Sequence, residues 1–275
     1  MRLDSHAIHS RIAALLEERK HFVVATLLEA RGSSPQSAGR KMIIHPDGSF
    51  EFTIGGGTFE SEVIQDGVAL LTSDGPQIRE YKLTVRDLGM YCQGIVKVFL
   101  ERYIPRPRMI VFGGGHVAQA LSRIAASTQL FSVVVIDDRA EYASKEKHPF
   151  ADSVILTDRT FSRDIPQLDD ETYIVVITRC HETDKLLVTK FGHAPSAYFG
   201  LIGSRSKIKQ FERELKEEGV AESVLERLHA PIGIPLGGKD PAEIAVSILA
   251  EVIKVKNSRK ASQMGISDRR FQIAD

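Results

Sequence analysis

Short apolar runs alternate with amphipathic segments along the second part of the chain. The run at 109–112 is unbroken, and the run at 131–136 is interrupted only by Ser132, as is typical of strands buried on both faces of a parallel sheet. Further apolar runs lie at 153–156, 173–178 and 197–202, and segments of helical periodicity lie at 182–191 and 207–219. Strands and helices that alternate in this way predict right-handed crossovers and an α/β domain with a parallel sheet.

The first part of the chain has a different pattern, which is typical of a smaller α+β domain. Its predicted helices lie at 5–20 and 59–71, and its predicted strands lie at 21–29, 41–45, 49–54, 81–85 and 95–103. The turn Pro46-Asp47-Gly48 predicts a hairpin, because proline presets φ and glycine accepts a positive φ. Pro105 punctuates the join to the second part. We therefore predict two domains and a polar C-terminal tail, at 1–105, 106–256 and 257–275.

A glycine turn joins the first strand of the parallel sheet to the next helix. Gly113, Gly115 and Ala118 fit G-x-G-x-x-G/A, the turn of dinucleotide-binding Rossmann folds. In that fold the second glycine lets a pyrophosphate approach the backbone, and an acid about 20 residues later binds the ribose. Asp137 lies 22 positions after Gly115 (137 − 115) and ends the second strand together with Asp138. The pattern predicts a Rossmann unit, and it leaves open whether a nucleotide occupies the turn or packing alone requires it.

Polar and glycine-rich segments follow four of the predicted parallel strands. Ligands of parallel α/β sheets bind beyond the carboxyl ends of the strands, so we expect these segments to converge on one crevice and to bind the cofactor. They are Gly113, Gly114, Gly115 and His116 after the first strand, Asp137 and Asp138 after the second, Thr178 to His181 after the fourth, and Gly203, Ser204 and Arg205 after the fifth.

A second glycine run precedes a helix of the first domain. Gly55, Gly56 and Gly57, followed by Thr58, expose backbone N–H groups at a helix entrance, which suits a phosphate or a carboxylate. The alternative is a tight strand-to-helix turn with Thr58 as the helix cap. Because ligand sites commonly form where domains meet, we expect this run to face the turn at 113–115.

The last predicted helix, at 240–255, has the strongest start signal of the chain. Asp240 as N-cap, Pro241 at the first helical position and Glu243 three residues after the cap predict a capping box. We expect the Asp240 side chain to accept a hydrogen bond from an amide of the first turn.

Composition narrows the classes of partner. Lys+Arg and Asp+Glu number 36 each, so no net charge suggests binding to nucleic acid or to an anionic membrane. Cys92 and Cys180 are too few for a disulfide scaffold, and we find neither a signal peptide nor an apolar run of membrane length. We therefore expect a cytoplasmic protein, and we expect a homodimer because that state is common among soluble proteins.

A series of motifs runs in order through nearly the whole chain. It comprises Gly32-Ser33-Ser34-Pro35, Gly55-Gly56-Gly57 with Glu60, Met90-Tyr91-Cys92, the segment 111–118, Val135-Ile136-Asp137-Asp138-Arg139, the segments 178–184 and 200–207, His229-Ala230-Pro231-Ile232-Gly233 and Pro241-Ala242-Glu243-Ile244-Ala245. Together these motifs resemble the XdhC/CoxI family, the accessory proteins of molybdenum hydroxylases such as xanthine dehydrogenase. The resemblance implies a chaperone that binds the molybdenum cofactor (molybdopterin). It further implies that the protein supports sulfuration of the cofactor with a cysteine desulfurase and hands it to the apo-hydroxylase.

The chain departs from the family pattern at three positions. Many members have a cysteine where this chain has Thr58, a glycine where it has Gln93, and a histidine where it has Arg179. A thiolate ligand to molybdenum at position 58 is therefore excluded. Cys92 is the remaining candidate in its domain for a sulfur carrier or molybdenum ligand, and the alternative is a small, buried and inert cysteine.

His181 is a weaker candidate for a catalytic role. With Glu182 and Asp184 it faces the predicted crevice, although a histidine at a strand end often only hydrogen-bonds the backbone. No spacing of cysteine and histidine matches a zinc site, so we predict no structural metal.

Two functions remain open. In the first, the glycine turns of a cofactor chaperone bind the phosphate of molybdopterin or of its nucleotide form. Arg40, Arg179 or Arg205 then adds charge-assisted hydrogen bonds. In the second, an NAD(P)-dependent oxidoreductase uses the turn at 113–115 and Asp137 for the nucleotide. The lack of a clear catalytic dyad favours a maturation factor over a dehydrogenase.

Overall fold

The computed structural model describes residues 5–32, 37–73, 75–83 and 94–263. The chain divides into two compact units, Met1–Pro105 and Arg106–Asp275. Each unit has its own sheet and its own apolar core. None of the helices in the described ranges combines the length and the hydropathy that a membrane span requires.

The first unit is built on an antiparallel sheet. Its strands, in the spatial order β3-β2-β1-β5-β4, are β1 (Phe22–Gly32), β2 (Lys41–Ile44), β3 (Phe50–Glu51), β4 (Gln77–Leu83) and β5 (Gly94–Tyr103). Helices α1 (Ser5–Glu17) and α2 (Gly57–Leu70) cover its two faces, because alternate side chains of β1 pack towards one or the other. The hairpin predicted at 46–48 is confirmed by the antiparallel pairing of β2 with the short β3.

The second unit is built on a parallel six-stranded sheet. Its strands, in the order β11-β10-β9-β6-β7-β8, are β6 (Arg108–Phe112), β7 (Ser132–Asp137), β8 (Ser153–Leu156), β9 (Thr172–Val176), β10 (Tyr198–Leu201) and β11 (Leu228–His229). The predicted Rossmann-like parallel sheet is thereby confirmed. The strand order reverses between β6 and β9, which is the topological switch point at which α/β folds bind ligands.

Helices cover both faces of the parallel sheet. They are α3 (His116–Thr128), α4 (His181–Phe191), α5 (Arg205–Glu217), α6 (Glu222–Arg227) and α7 (Pro241–Gln263). Side chains of α3 and α7 share one core with alternate residues of β6, such as Val111, and those of α4 and α5 share the other core with residues such as Phe112. The sheet is therefore doubly wound, and its carboxyl edge lies at the starts of these helices.

The start and the end of α7 differ from the prediction. Glu243 Oε2 accepts hydrogen bonds from Asp240 N at 3.2 Å and Lys239 N at 3.0 Å, so the Glu243 half of the capping box is present. The Asp240 carboxylate, however, accepts no hydrogen bond from the described residues, so the other half of the predicted capping box is absent. The helix also continues through Gln263 into the predicted tail, where Arg259 Nη2 donates to the Asp170 carbonyl oxygen at 3.0 Å.

Candidate functional site

The turn between β6 and α3 lies at the switch point of the parallel sheet. Gly113 has φ +102°, and a Cβ at this residue would come within 2.5 Å of the Ile177 carbonyl oxygen. A Cβ at Gly114 would come within 2.6 Å of the Tyr142 carbonyl oxygen. Close approach of the backbone to neighbouring strands and loops therefore explains both glycines without a ligand.

Gly115 is different, because a Cβ at this residue would meet nothing within 4 Å. It is the N-cap of α3 and has an ordinary φ of −71°, and no side-chain hydrogen bond caps the helix. His116, the first residue of the helix, is exposed. The amides of an uncapped first turn beside open space suit a phosphate, as they do in the dinucleotide-binding turn.

The carboxylate of Asp137 has no free acceptor position. Its Oδ1 accepts from Arg139 N and Arg139 Nε, both at 2.9 Å, and its Oδ2 accepts from Gly114 N at 2.7 Å and Arg139 Nη2 at 2.9 Å. A carboxylate offers about four lone-pair sites, and the residue is only 2% exposed. The residue predicted to bind a ribose is thus engaged in holding the glycine turn.

The ionisation of Asp137 agrees with this structural role. Burial by itself raises the pKa of Asp137, but the hydrogen bonds from the Arg139 side chain and from the amides of Gly114 and Arg139 outweigh that effect. They hold the pKa below its ordinary value, so the charged carboxylate is the form that fits the turn.

A residue that the sequence did not single out also supports the glycine turn. His148 is fully buried, and its Nε2 donates to the Gly114 carbonyl oxygen at 3.2 Å. Burial lowers the pKa of His148, so the neutral ring is the form that fits here. The sequence could not predict that His148 supports the turn, because a single histidine in a polar segment has no periodic or spacing signal. Only its contact with Gly114 in the folded chain shows this role.

The carboxyl ends of the parallel strands meet through direct contacts. Asp137 links the end of β7 to the turn after β6, and Asp138 Oδ2 lies 3.3 Å from Arg179 Nη2 after β9. Gly203 and Ser204 after β10 line the same cavity as the residues from Thr178 to His181. The four predicted segments therefore lie along one edge of the sheet, but only those after β9 and β10 line a common cavity, so their convergence on one crevice stays a prediction.

A cavity of about 630 Å³ opens beyond the carboxyl ends of β9 and β10. This volume lies in the range of roughly 300–1,000 Å³ that small-molecule sites occupy. Arg205, the turn from Gly113 to His116, Asp137 and Asp138 are not among its walls. The polar side chains that line it are those of Thr178, Arg179, Cys180, His181, Asp184, Ser204, Lys207 and Lys239.

His181 connects the two helices that begin at this cavity. Its Nε2 lies 2.7 Å from Glu214 Oε2, and Lys185 Nζ lies 3.0 Å from the same oxygen. Hydrogen bonds from His181 and Lys185 lower the pKa of Glu214 to about 2. The ring of His181 also packs edge-on against Phe211, with centroids 5.0 Å apart. These contacts favour a positioning role for His181 over the predicted catalytic role.

The glycine run of the first unit is held from within the chain. Helix α2 begins at Gly57 with Gly56 as N-cap, so Thr58 is not the cap that the structural-turn alternative assigned to it. The buried carboxylate of Glu60 instead accepts from Ile54 N at 2.7 Å and Gly55 N at 2.9 Å, and from the Thr53 hydroxyl. An internal carboxylate thus occupies amides that would otherwise suit a ligand, which favours the structural-turn alternative for Gly55.

Of the two cysteines, only Cys180 lies within the residues that the structure describes. Cys92 and its neighbours Met90 and Tyr91 lie outside the described residues, and the predicted approach of the two glycine runs stays a prediction. Cys180 is a free, partly exposed thiol at the N-cap of α4, with Sγ 3.0 Å from Thr183 Oγ1. Within the described part of the chain, no group of three or more histidine, cysteine or acidic side chains could hold a metal ion.

The fold and the site together define a class of protein in which an antiparallel α+β unit precedes a Rossmann unit with a ligand-sized cavity at its carboxyl edge. Residues 109–252 match the model of the XdhC Rossmann domain, and residues 15–82 match the model of the XdhC and CoxI family. The chain belongs to this XdhC and CoxI family.

Known relatives cover most of this chain. It is 33% identical over 260 residues to the uncharacterized protein YqeB of Escherichia coli (strain K12), covering 94% of this chain but only 48% of YqeB, so the chain spans about half the length of that relative. It is 23% identical to a probable xanthine dehydrogenase subunit of Bacillus subtilis (strain 168), covering 90% of this chain and 97% of that protein. It is 22% identical to the molybdenum cofactor insertion chaperone PaoD of E. coli (strain K12), covering 92% and 89%.

A solved structure has the same fold. The crystal structure of a xanthine dehydrogenase from Bacillus halodurans matches with a TM-score of 0.51 at 20% identity, covering 91% of this chain and 96% of that chain. At this level of identity the match shows the fold alone.

Proposed function

We propose that this chain is an accessory protein that binds the molybdenum cofactor, supports its sulfuration and inserts it into a hydroxylase of the xanthine dehydrogenase type. The observation that carries the proposal is the contrast between Gly115 and Asp137. Space and uncapped amides beside Gly115 suit a phosphate, whereas Asp137 keeps no acceptor for a ribose. Molybdopterin carries a phosphate on a pterin and needs no ribose contact.

The relatives support the same role. One is named as a molybdenum cofactor insertion chaperone, and another as a probable subunit of xanthine dehydrogenase. We extend these roles to this chain, with an apo-hydroxylase and a cysteine desulfurase as its partners and a homodimer as its working state. The molybdenum cofactor is then cargo, which supplies the hydroxylase with its metal centre after transfer.

An NAD(P)-dependent oxidoreductase is the competing function. The order of the parallel strands favours it, because the same order binds dinucleotides in many enzymes. The saturated carboxylate of Asp137 disfavours it, because the usual acceptor for the ribose hydroxyl is engaged with Arg139 and Gly114.

Substitution of Gly115 tests the phosphate site directly. Valine at this residue fits the folded chain, since φ is −71° and no atom lies within 4 Å of the added Cβ, but its side chain fills the space for a phosphate. We expect Gly115→Val to unfold at the same urea concentration as the parent protein and to weaken molybdenum cofactor binding by at least about tenfold. Equal cofactor affinity in the two folded proteins would exclude a phosphate at this turn.

Transfer to an apo-hydroxylase tests the delivery step. We expect the protein loaded with sulfurated cofactor to restore hydroxylase activity faster than the same concentration of free cofactor. Gly115→Val should lose this advantage. If hydroxylase activity returned at the same rate with free cofactor as with the loaded protein, the delivery function would be contradicted.

We further propose that Cys92 carries the sulfur or binds the molybdenum, because the family cysteine at position 58 is replaced by Thr58. Serine is nearly isosteric with cysteine but is a poor sulfur carrier and a poor ligand for soft metals. We expect Cys92→Ser to keep the stability of the parent protein and to impair transfer of active cofactor, and Cys180→Ser provides the matched comparison. Full transfer by a folded Cys92→Ser protein would remove Cys92 from the mechanism.

A further inference from the structure

The turn at Gly115 is not among the walls of the cavity beyond β9 and β10, which has its own set of binding groups. Its walls come from the starts of α4 and α5 and from the loop that leads into α7. Helices on both faces of the sheet therefore contribute to it, and the walls lie at the carboxyl edge where parallel sheets bind ligands.

Three cationic side chains line this cavity, those of Arg179, Lys207 and Lys239. Neither lysine ammonium has an ion-pair partner among the residues that the structure describes. Arg179 is 44% exposed and has one contact of 3.3 Å, to Asp138. The lysines, which are exposed as well as unpaired, are therefore available to a negatively charged ligand.

Backbone groups add to the positive potential. Both α4 and α5 begin at the cavity wall, and no side-chain hydrogen bond caps the start of α4 at Cys180. At the start of α5, the Ser204 hydroxyl accepts from Lys207 N at 3.3 Å, which leaves other amides of that turn without a side-chain acceptor. Two helix N-termini beside three cations make a stronger anion site than either feature alone.

One carboxylate lines the cavity among the described residues, and it is already held. Asp184 Oδ1 accepts from the Thr178 hydroxyl at 2.5 Å, within the first turn of α4. The cavity thus has three positive side chains against one negative side chain, so its charge balance favours an anion.

The remaining walls are apolar. The side chains that form them are Leu201, Ile202, Ile208, Phe211 and Ile244. Leu201, Ile208 and Phe211 are already buried, whereas Ile202 and Ile244 are partly exposed. A ring system would cover this exposed part of the wall, and an inorganic anion would not.

We propose that this cavity binds a small phosphomonoester whose phosphate lies against the cations and helix starts and whose ring lies against the apolar wall. Two sources share this chemistry, a free nucleoside monophosphate and the phosphate-bearing pterin of the molybdenum cofactor, and the second would place the cofactor's phosphate in this cavity instead of at Gly115. Only the second source rests on the proposed function.

Protection of Cys180 from alkylation reports on occupancy, because this partly exposed thiol lines the cavity. The full chain is treated with iodoacetamide alone, with AMP, with adenosine, or with molybdenum cofactor, and the Cys180 and Cys92 peptides are separated by mass. We expect AMP or the cofactor to slow alkylation of Cys180 at least about fivefold at saturation, and adenosine to have no such effect because it lacks the phosphate. Protection by AMP alone identifies a nucleotide site, and protection by the cofactor alone identifies a pterin site.

Matched lysine variants show whether the protection depends on the cavity. Lys207→Gln and Lys239→Gln should each raise the concentration for half-protection by about tenfold. Lys209→Gln, which removes the same charge from an exposed position of α5 outside the cavity, should leave it unchanged. No protection by either phosphate compound, or equal effects of Lys207→Gln and Lys209→Gln, would overturn the proposal. Because AMP protection requires no cofactor, failure here is distinct from failure of the delivery assay with Gly115→Val.

Discussion

Single residues show how far spacing can predict chemistry. The offset from Gly115 correctly placed Asp137 at the end of β7 and next to the glycine turn. It could not show which groups the carboxylate binds, because Arg139 and the Gly114 amide reach it only in the folded chain. An aspartate at the offset of a ribose-binding acid therefore stabilises the glycine turn in this protein. Its four hydrogen bonds exclude the ribose contact.

Substitution of Asp137 should lower stability. We expect Asp137→Asn to lower the free energy of unfolding by about 3 kcal/mol at pH 7, because it removes a buried carboxylate that pairs with the partly exposed Arg139 guanidinium and with the Gly114 amide. The pKa of Asp137 in the folded protein is below its ordinary value of 3.8, so the stabilising contribution is complete above that value and is lost only as the pH falls through the lowered pKa. Urea unfolding at pH 7 and at successively lower pH should show the difference between parent and variant shrinking below about pH 4.

Asp138→Asn is the matched control. The Asp138 contact is longer, at 3.3 Å, and involves an Arg179 side chain that is 44% exposed. We therefore expect Asp138→Asn to lower the free energy of unfolding by much less than Asp137→Asn does. Equal losses from the two substitutions would contradict the structural role given to Asp137.

Asp184 offers a second test at the residue scale. Burial raises the pKa of Asp184, and the hydrogen bond from Thr178 lowers it by less. Its remaining negative charge opposes an anion in the cavity, so we expect Asp184→Asn to strengthen AMP binding roughly threefold at pH 7. Glu182→Gln, on the exposed face of the same turn and outside the cavity, should have no effect in the same alkylation assay. Weaker AMP binding by Asp184→Asn would argue that the carboxylate itself contacts the ligand.

At the scale of elements, the hydrophobic pattern predicted the parallel strands well, because each strand is a mostly apolar run. It missed β11, which has only two residues, and α6, which has six, since elements this short carry no period. Local start signals were less reliable. The sequence offered Thr58 and Asp240 as caps, but the glutamates that follow them within the first turn, Glu60 and Glu243, hold the entrance amides of α2 and α7.

The Glu60 carboxylate at the entrance of α2 can be tested by substitution. Burial by itself raises the pKa of Glu60, but hydrogen bonds from Thr53 and from backbone amides of residues 54–56 hold the pKa below its ordinary value. We expect Glu60→Gln to lower the free energy of unfolding by about 2 kcal/mol, because a neutral amide replaces a buried charged acceptor. Glu62→Gln, exposed on the same helix, should change it by less than about 0.5 kcal/mol in the same urea titration. Equal stability of the two variants would mean that Glu60 is not the cap.

At the scale of the whole molecule, the sequence predicted the α+β class of the first unit, the parallel sheet of the second unit and the edge of that sheet at which the site lies. The cavity itself could not be predicted, because its cations come from three separate segments, those of Arg179, Lys207 and Lys239, and share no motif. Its geometry depends on how α4 and α5 begin, which contacts such as His181 with Glu214 maintain.

Titration of the purified full chain with molybdenum cofactor and, separately, with NADH tests the proposed function most directly. In the proposed function the turn at Gly115 binds a phosphate, whereas the acceptor positions of Asp137 are already occupied by Arg139 and Gly114. We therefore expect saturable binding of the cofactor, weakened in Gly115→Val, and no saturable binding of NADH at comparable concentrations. Saturable NADH binding without cofactor binding would contradict the accessory function and favour a nicotinamide-dependent enzyme.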